Sequence, residues 1–225
     1  MKEFLKNALE NMPEQAQESF MLSLIMNDPS SYAAKVRHDY YKTKFKHMGE
    51  HVSIGVGVKI VNPEYIWVGD NVHIGDNVTL IAAGEGGITL EGNNHLKDRV
   101  YLDSEREDTG YIHVGKNVYI GTGTTLHGHM GLEIGDHCLL AQNISLTPYS
   151  HKYEDPDQVI AVQGGHCRKV TIGRDCYIGM STTILYSADI GEGSVIGSGA
   201  VVVKPIPPYS VAVGVPAKVI RKRKE

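Results

Sequence analysis

Cysteine is scarce in this chain: there are three among 225 residues, Cys138, Cys167 and Cys176, and no C-x-x-C pair. The odd count and unpaired spacing argue against a disulfide framework and a thiolate-held metal, and imply reduced thiols of the kind cytoplasmic proteins carry. Long apolar runs are missing as well. The one near the start, Phe20 to Met26, contains Ser23, follows the acidic stretch Glu14 to Glu18, and falls far short of the roughly 20 residues a membrane span needs. It reads as a core-facing helix segment, and no membrane insertion is expected. Neither sign of charge dominates, since 22 Lys and Arg face 26 Asp and Glu for a formal net charge of -4. The basic ending Arg221 to Lys224 therefore reads as a solvated tail, and no nucleic-acid partner is expected. Aromatic residues are few at 7%, while glycines number 25, a balance that favours many tight corners over long helices. A hydrophobic share of 41% suits one soluble domain with a small appendage.

What the chain does have is a six-residue repeat. From Ile172 onward aliphatic residues fall at Ile172, Ile178, Ile184, Ile190, Ile196 and Val202, and small residues follow four positions after them at Cys176, Thr182, Ala188, Ser194 and Ala200. Earlier runs share the spacing: Ile54, Ile60, Ile66; Val68, Ile74, Leu80; Val114, Ile120, Leu126; Ile134, Leu140, Leu146. Three short strands closing a triangular turn take about eighteen residues, so these runs predict about six turns of a parallel coil with an aliphatic interior. At ~4.8 Å between strands the prism would be roughly 30 Å tall. Corner chemistry agrees: Gly69-Asp70-Asn71, Gly75-Asp76-Asn77, Gly115-Lys116-Asn117, Gly135-Asp136-His137 and Gly191-Glu192-Gly193 tolerate positive φ or bend locally. Cys138 and Cys176 occupy small inward positions, so packing accounts for both.

Residues 1–44 read as a helical segment ahead of the coil, which takes 45–225. Asp28 is expected as an N-cap, with Pro29 in the first turn of a helix carrying Tyr32, Val36 and Tyr40. The segment would cap the open end of the prism, as stacked repeats require. Two excursions, 82–111 and 147–169, exceed the usual connection of about 4–6 residues, and long departures from a rigid scaffold tend to hold function. The first contains Gly84, Gly86, Gly87 and the charged stretch Lys97 to Asp108; the second contains His151 and His166.

Several segments in order, Ala141-Gln142-Asn143-Ile144-Ser145-Leu146-Thr147, a histidine loop, Val170-Thr171-Ile172-Gly173, Ser194-Val195-Ile196-Gly197, Ile206-Pro207-Pro208 and Gly214-Val215-Pro216-Ala217, resemble the hexapeptide-repeat acyltransferases. The nearest branch holds galactoside and maltose acetyltransferases and polysaccharide O-acetyltransferases. The likeness is close over 134–221, generic over 50–133 and loose before 44. It implies a mainly β fold, a left-handed parallel β-helix; parallel crossovers are ordinarily right-handed, so the hand comes from the resemblance alone. It also implies acetyl-coenzyme A as donor, a homotrimer with shared sites, and no metal.

By that resemblance the loop after Leu146 carries a histidine base, and the eight-residue step from Asn143 lands on His151. The chemistry suits an imidazole, because an acceptor hydroxyl or amine must lose a proton as it attacks a thioester, and a group with pKa near 6.5 can take it at neutral pH. His166 is the rival, since serine acetyltransferases also resemble this fold and Gly164-Gly165-His166 precedes the next coil. His127 and His129 read as structural or solvent-facing. Coenzyme A needs backbone donors and cations for its phosphates, and the resemblance implicates Gly179, Ser198, Lys204 and Arg221, with Lys218 a further candidate. The pattern departs where Tyr177 replaces a tryptophan, where Thr122 stands near an acceptor-binding asparagine, and at Val203 and Pro205.

The expected function is O-acetylation of a saccharide or saccharide precursor, a small-molecule acceptor. N-acetylation of a nucleotide-linked amino sugar is the nearest alternative. A zinc hydratase of the γ-carbonic-anhydrase type would need three histidines, two of them separated by four residues, and no two histidines here have four residues between them. A non-catalytic scaffold is the third class, against which the two long loops argue. Cytoplasmic localisation is expected throughout.

Overall fold

The computed structural model describes residues 11–106 and 108–223. In it the hexads become short parallel strands that close a three-sided coil. One side holds β1 (His47–Met48), β4 (Ile66–Val68), β7 (Ile88–Gly92), β10 (Ile112–Lys116), β13 (Leu132–Ile134) and β18 (Val170–Ile172), continued by parallel bridges at Ile190 and Ile206. The second holds β2 (Ser53–Ile54), β5 (His73–Ile74), β8 (His95–Leu96), β11 (Tyr119–Ile120), β14 (Leu139–Leu140), β19 (Tyr177–Ile178), β21 (Val195–Ile196) and β23 (Ser210–Val213). It ends in β24 (Lys218–Lys222), which runs antiparallel to β23. The third holds β3 (Lys59–Val61), β6 (Thr79–Ile81), β9 (Tyr101–Asp103), β12 (Thr125–His127), β15 (Ser145–Leu146), β20 (Thr183–Ile184) and β22 (Val201–Val202).

The coil has about seven turns, not six. The additional turn lies inside the stretch expected to be an excursion, 82–111. There Leu90, Leu96 and Leu102 continue the hexads, all at 0% exposure, and β7, β8 and β9 pair with strands both above and below. Only the connections flanking this turn are long. Residues 147–169 do leave the coil, as a hairpin of β16 (Tyr149–His151) and β17 (Gly165–Cys167).

Inward aliphatic residues from all three sides form one continuous core, from Ile54 to Val202 nearly fully buried. The small positions are buried too, among them Cys138, Thr182, Ser194 and Ala200. The Cys138 thiol is pushed far up from its ordinary pKa by the adjacent Cys176 thiol and by burial, so it is an inert packing group. In each corner triplet the third residue takes positive φ: Asn71 at 56°, Asn77 at 55°, Asn117 at 59° and His137 at 60°. The aspartates bind the turn below, Asp70, Asp76 and Asp136 accepting from the backbone N–H of Glu50, Val56 and Lys116 at 2.8, 2.8 and 2.7 Å. Corner carboxylates thus satisfy donors that a stacked coil would otherwise leave open.

Two helices precede the coil, α1 (Glu14–Asn27) and α2 (Ser31–Lys42); the expected helix over residues 1–10 lies outside the described residues. The N-cap of α2 is Ser30 and not Asp28: Ser30 Oγ accepts from Ala33 N at 3.2 Å. Asp28 instead closes α1, and its carboxylate accepts from Ser30 N at 2.7 Å. Arg37 joins this segment to the coil. Only 3% exposed, it donates to the carbonyl of Ile54 at 3.1 Å and to those of Ile25 and Asp28 at 2.9 and 2.6 Å. Two of these acceptors sit at the carbonyl end of α1, where a cation is favoured. Arg37→Leu is expected to cost about 2–4 kcal/mol, because one buried and two part-buried carbonyls lose a charged donor at once. Urea unfolding followed by circular dichroism would measure it, and limited proteolysis should show cleavage moving to the helices.

Candidate functional site

The hairpin that interrupts the coil is rooted by charge. Arg168 pairs with Asp189 at 2.8 Å and Lys169 with Glu133 at 3.0 Å. Tyr111 donates to the same Glu133 at 2.8 Å, its pKa raised to about 12 by burial and by that carboxylate. Glu133 itself is held below the usual carboxylate range by Lys169 and Tyr111. At its base the hairpin presents His151, exposed to solvent.

Strand alternation separates the two candidate bases. Tyr149 pairs with Cys167, His151 with Gly165, and Ser150 with His166. Neighbouring residues of a strand point to opposite faces, so His151 and His166 lie on opposite sides of the ribbon. His166 stacks on Tyr186 at 5.9 Å and faces Glu154 at 3.4 Å. His151 instead meets Tyr149, the ring centroids 5.0 Å apart and nearly perpendicular at 89°, with Nδ1 3.5 Å from the Tyr149 hydroxyl.

From Tyr149 a row of rings descends the same edge of the coil. His129 stacks on Tyr149 at 5.0 Å and 15°, and His127 lies 6.2 Å from His129 and 5.8 Å from Tyr101. His127 and His129 are not free surface groups, because the Glu105 carboxylate is paired with His127 Nδ1 and with His129 Nε2. Burial, against the pull of Glu105, holds the His129 pKa below its ordinary value. Tyr101, its pKa raised to about 12 by burial and by Asp103, donates to Asp103 at 2.7 Å. Asp103 in turn accepts from Glu105 N at 2.9 Å. The sequence offered one signal for Tyr149, its spacing of two from His151; Glu105 carried none, since its place depends on the coil turn hidden in 82–111.

The residues implicated in coenzyme A binding lie elsewhere. Gly179 and Ser198 stack at the corner between the second and third sides, with Gly179 so close beneath Ser198 N that a Cβ would collide with it. His151 stands at the other end of the third side, about 20 Å away for six residues of strand. Lys204 shares the His151 edge, two turns further along the coil, and is exposed. Lys218 and Arg221 lie on fully exposed β24; Arg221 donates only to Lys222 O, at 3.2 Å. A single chain therefore does not bring the base together with Gly179, Ser198 or the cations of β24.

A cleft of about 630 Å³ is lined by Trp67, His47, Tyr65, Asp70 and Glu91 among others, and does not include His151. Among the described residues no three His, Cys, Asp or Glu side chains are grouped to hold a metal ion, and no helix is long and apolar enough to cross a membrane.

Comparison with known proteins points to the same repeat. The bacterial transferase hexapeptide family (six repeats) matches residues 169–204, and the hexapeptide repeat of succinyl-transferase matches residues 111–148. A "Probable acetyltransferase" of Mycobacterium tuberculosis is 34% identical over 166 residues, which cover 73% of this chain and 54% of that one. The galactoside O-acetyltransferase of Escherichia coli is 36% identical over 115 residues, 49% of this chain and 54% of that one. The chain thus spans about half the length of both relatives. Among solved structures, AntD, an N-acyltransferase from Bacillus cereus in complex with dTDP and 3-hydroxybutyryl-CoA, superposes with a TM-score of 0.59 at 22% identity, covering 88% of this chain and 91% of that one.

Proposed function

We propose that this hexapeptide-repeat protein is an acetyl-CoA-dependent O-acetyltransferase acting on a saccharide or saccharide precursor. The observation that carries the proposal is the exposed imidazole of His151, held on a salt-bridged ribbon that leaves the coil. The acetyltransferase names of its relatives support it.

The chemistry is a direct transfer. His151 takes the proton from the acceptor hydroxyl as that oxygen attacks the thioester carbonyl. The tetrahedral oxyanion is stabilised by backbone N–H groups, then collapses with cleavage of the C–S bond. The imidazolium returns its proton to the departing thiolate, so the base is regenerated and free coenzyme A leaves. Gly179 and Ser198 supply the backbone wall for the pantetheine, and Lys204, Lys218 and Arg221 the charge for the phosphates.

The distance between that wall and His151 in one chain is bridged in a homotrimer, where the base of one copy faces the groove of the next. An exposed apolar stripe, Tyr119, Leu139 and Tyr177, runs up the second side of the coil, and the hairpin tip carries exposed Tyr153, Val159, Ile160 and Val162. These surfaces suit contact between copies, and a light-scattering mass of three chains would show it. The cytoplasm, which supplies acetyl-CoA, is the compartment this reading assigns.

The test is a screen of saccharide acceptors with acetyl-CoA, reading released thiol. Acetyl-CoA alone, at 100 times its dissociation constant, is expected to add about 2.7 kcal/mol of stability, visible as a raised melting temperature. No shift and no thiol release would favour the scaffold reading. The fold shared with AntD keeps N-acetylation of a nucleotide-linked amino sugar as the second reading; thiol release with amino sugars but not with hydroxyl acceptors would select it.

A further inference from the structure

The row of rings beneath His151 has no part in the transfer as written. We propose that Tyr149 is a positioning residue that fixes the His151 imidazole in one tautomer, and that His129 and Glu105 hold Tyr149 in place. The proposal deepens the reading of His151 as the base and rests on it.

A base must present an unprotonated nitrogen to its substrate, and imidazole has two nitrogens, of which the partner of one decides the state of the other. His151 Nδ1 is the nitrogen that faces Tyr149 Oη, at 3.5 Å. That separation is at the outer limit of a hydrogen bond. With Nδ1–H donating to Oη, the proton sits on Nδ1 and Nε2 keeps its lone pair for the acceptor. The edge-to-face contact at 5.0 Å fixes the ring plane as well, an arrangement aromatic pairs favour.

Tyr149 is itself confined from two sides. Its ring lies against Gly165, where a Cβ would strike the phenol, so this position of the ribbon is open to the ring only because it is glycine. Its other face is covered by His129, stacked at 5.0 Å. His129 is immobilised through Nε2 by Glu105, whose backbone is pinned by Asp103. Four side chains from three turns, Tyr149, His129, Glu105 and Asp103, thus converge on the orientation of one ring, the arrangement by which a supporting shell holds a reacting group.

The test reads the tautomer directly. Nitrogen-15 spectra of histidine-labelled full-length protein are expected to show His151 with its proton on Nδ1. In Tyr149→Leu the ring is expected to become a mixture of the two tautomers, and in Tyr149→Phe, which keeps the stack and loses Oη, likewise. Gly165→Ala, which displaces the phenol without removing it, is expected to behave as Tyr149→Leu and covers the case in which that variant fails to fold. In turnover, Tyr149→Leu should lower kcat about 10- to 100-fold with KM for acetyl-CoA changed less than about threefold; Glu105→Gln should give a smaller loss of the same kind. An Nδ1–H tautomer unchanged in Tyr149→Leu and Gly165→Ala overturns the proposal. His151→Ala, run beside them, separates the two readings: full activity there overturns the assignment of the base, whereas an inactive His151→Ala beside a fully active Tyr149→Leu overturns only the positioning role.

Discussion

His151→Ala is expected to lower acetyl transfer by about 10²–10⁴-fold, while acetyl-CoA still raises the melting temperature as it does in the parent protein. The separation of effects follows from geometry. Of the residues assigned to the donor, Gly179 and Ser198 lie on the opposite corner of the coil, Lys218 and Arg221 on β24, and Lys204 two turns along the His151 edge, so removing the imidazole leaves them untouched. Because His151 is exposed and outside the core, stability should change by no more than about 0.5 kcal/mol. Steady-state kinetics with released thiol as the signal, and a thermal melt with and without acetyl-CoA, check both halves. A kcat within a few-fold of the parent would move the base to another group.

Leu96→Ala is expected to destabilise the protein by about 2–5 kcal/mol, measured by urea unfolding. Leu96 is at 0% exposure and lies in a strand paired on both sides, His73–Ile74 below and Tyr119–Ile120 above. If 82–111 were a surface excursion, the same change would cost within about 0.5 kcal/mol. The two outcomes differ by enough to decide the architecture of this segment without a further structure. Loss on the larger scale is also expected to be cooperative, since each turn is held by its neighbours.

The hexads made the coil legible because its physics is local: an inward aliphatic every six residues, a small residue at each corner, a positive φ after each Gly-Asp or Gly-Lys corner pair. Asn71, Asn77, Asn117 and His137 all take that φ. The turn through Leu90, Leu96 and Leu102 is masked in the sequence because the connections on either side of it are longer, which throws its hexads out of phase with the runs before and after. The glycines and charges beside it then resembled those of a loop. Ser30 and Asp28 are both good caps, and only the packed structure shows which helix each one serves. At the site, His151 could be located by a resemblance in the loop after Leu146, and Tyr149 by strand alternation. Glu105 could not, since its contact with His127 and His129 joins residues brought together by stacking of one turn on the next. The separation of His151 from Gly179 and Ser198 is likewise a property of the closed coil.

The step from an inward residue on the first side of the coil to the one on the second, and from the second to the third, is six positions at each of the seven turns, as in Val114, Ile120 and Leu126. The step back to the first side has no fixed length: it runs from four positions, Val202 to Ile206, to twenty-six, Leu146 to Ile172. One vertical seam therefore takes all of the chain's variation in length, while the other two edges are invariant. Such a seam behaves as a set of interchangeable cassettes. The Glu105 connection, the short one through His129 and the His151 ribbon occupy three successive slots in it, and each could be exchanged for a loop of another length without moving a single core residue. A new acceptor could thus be accommodated by rewriting connections on that one edge, with the rest of the prism serving as an unchanged frame.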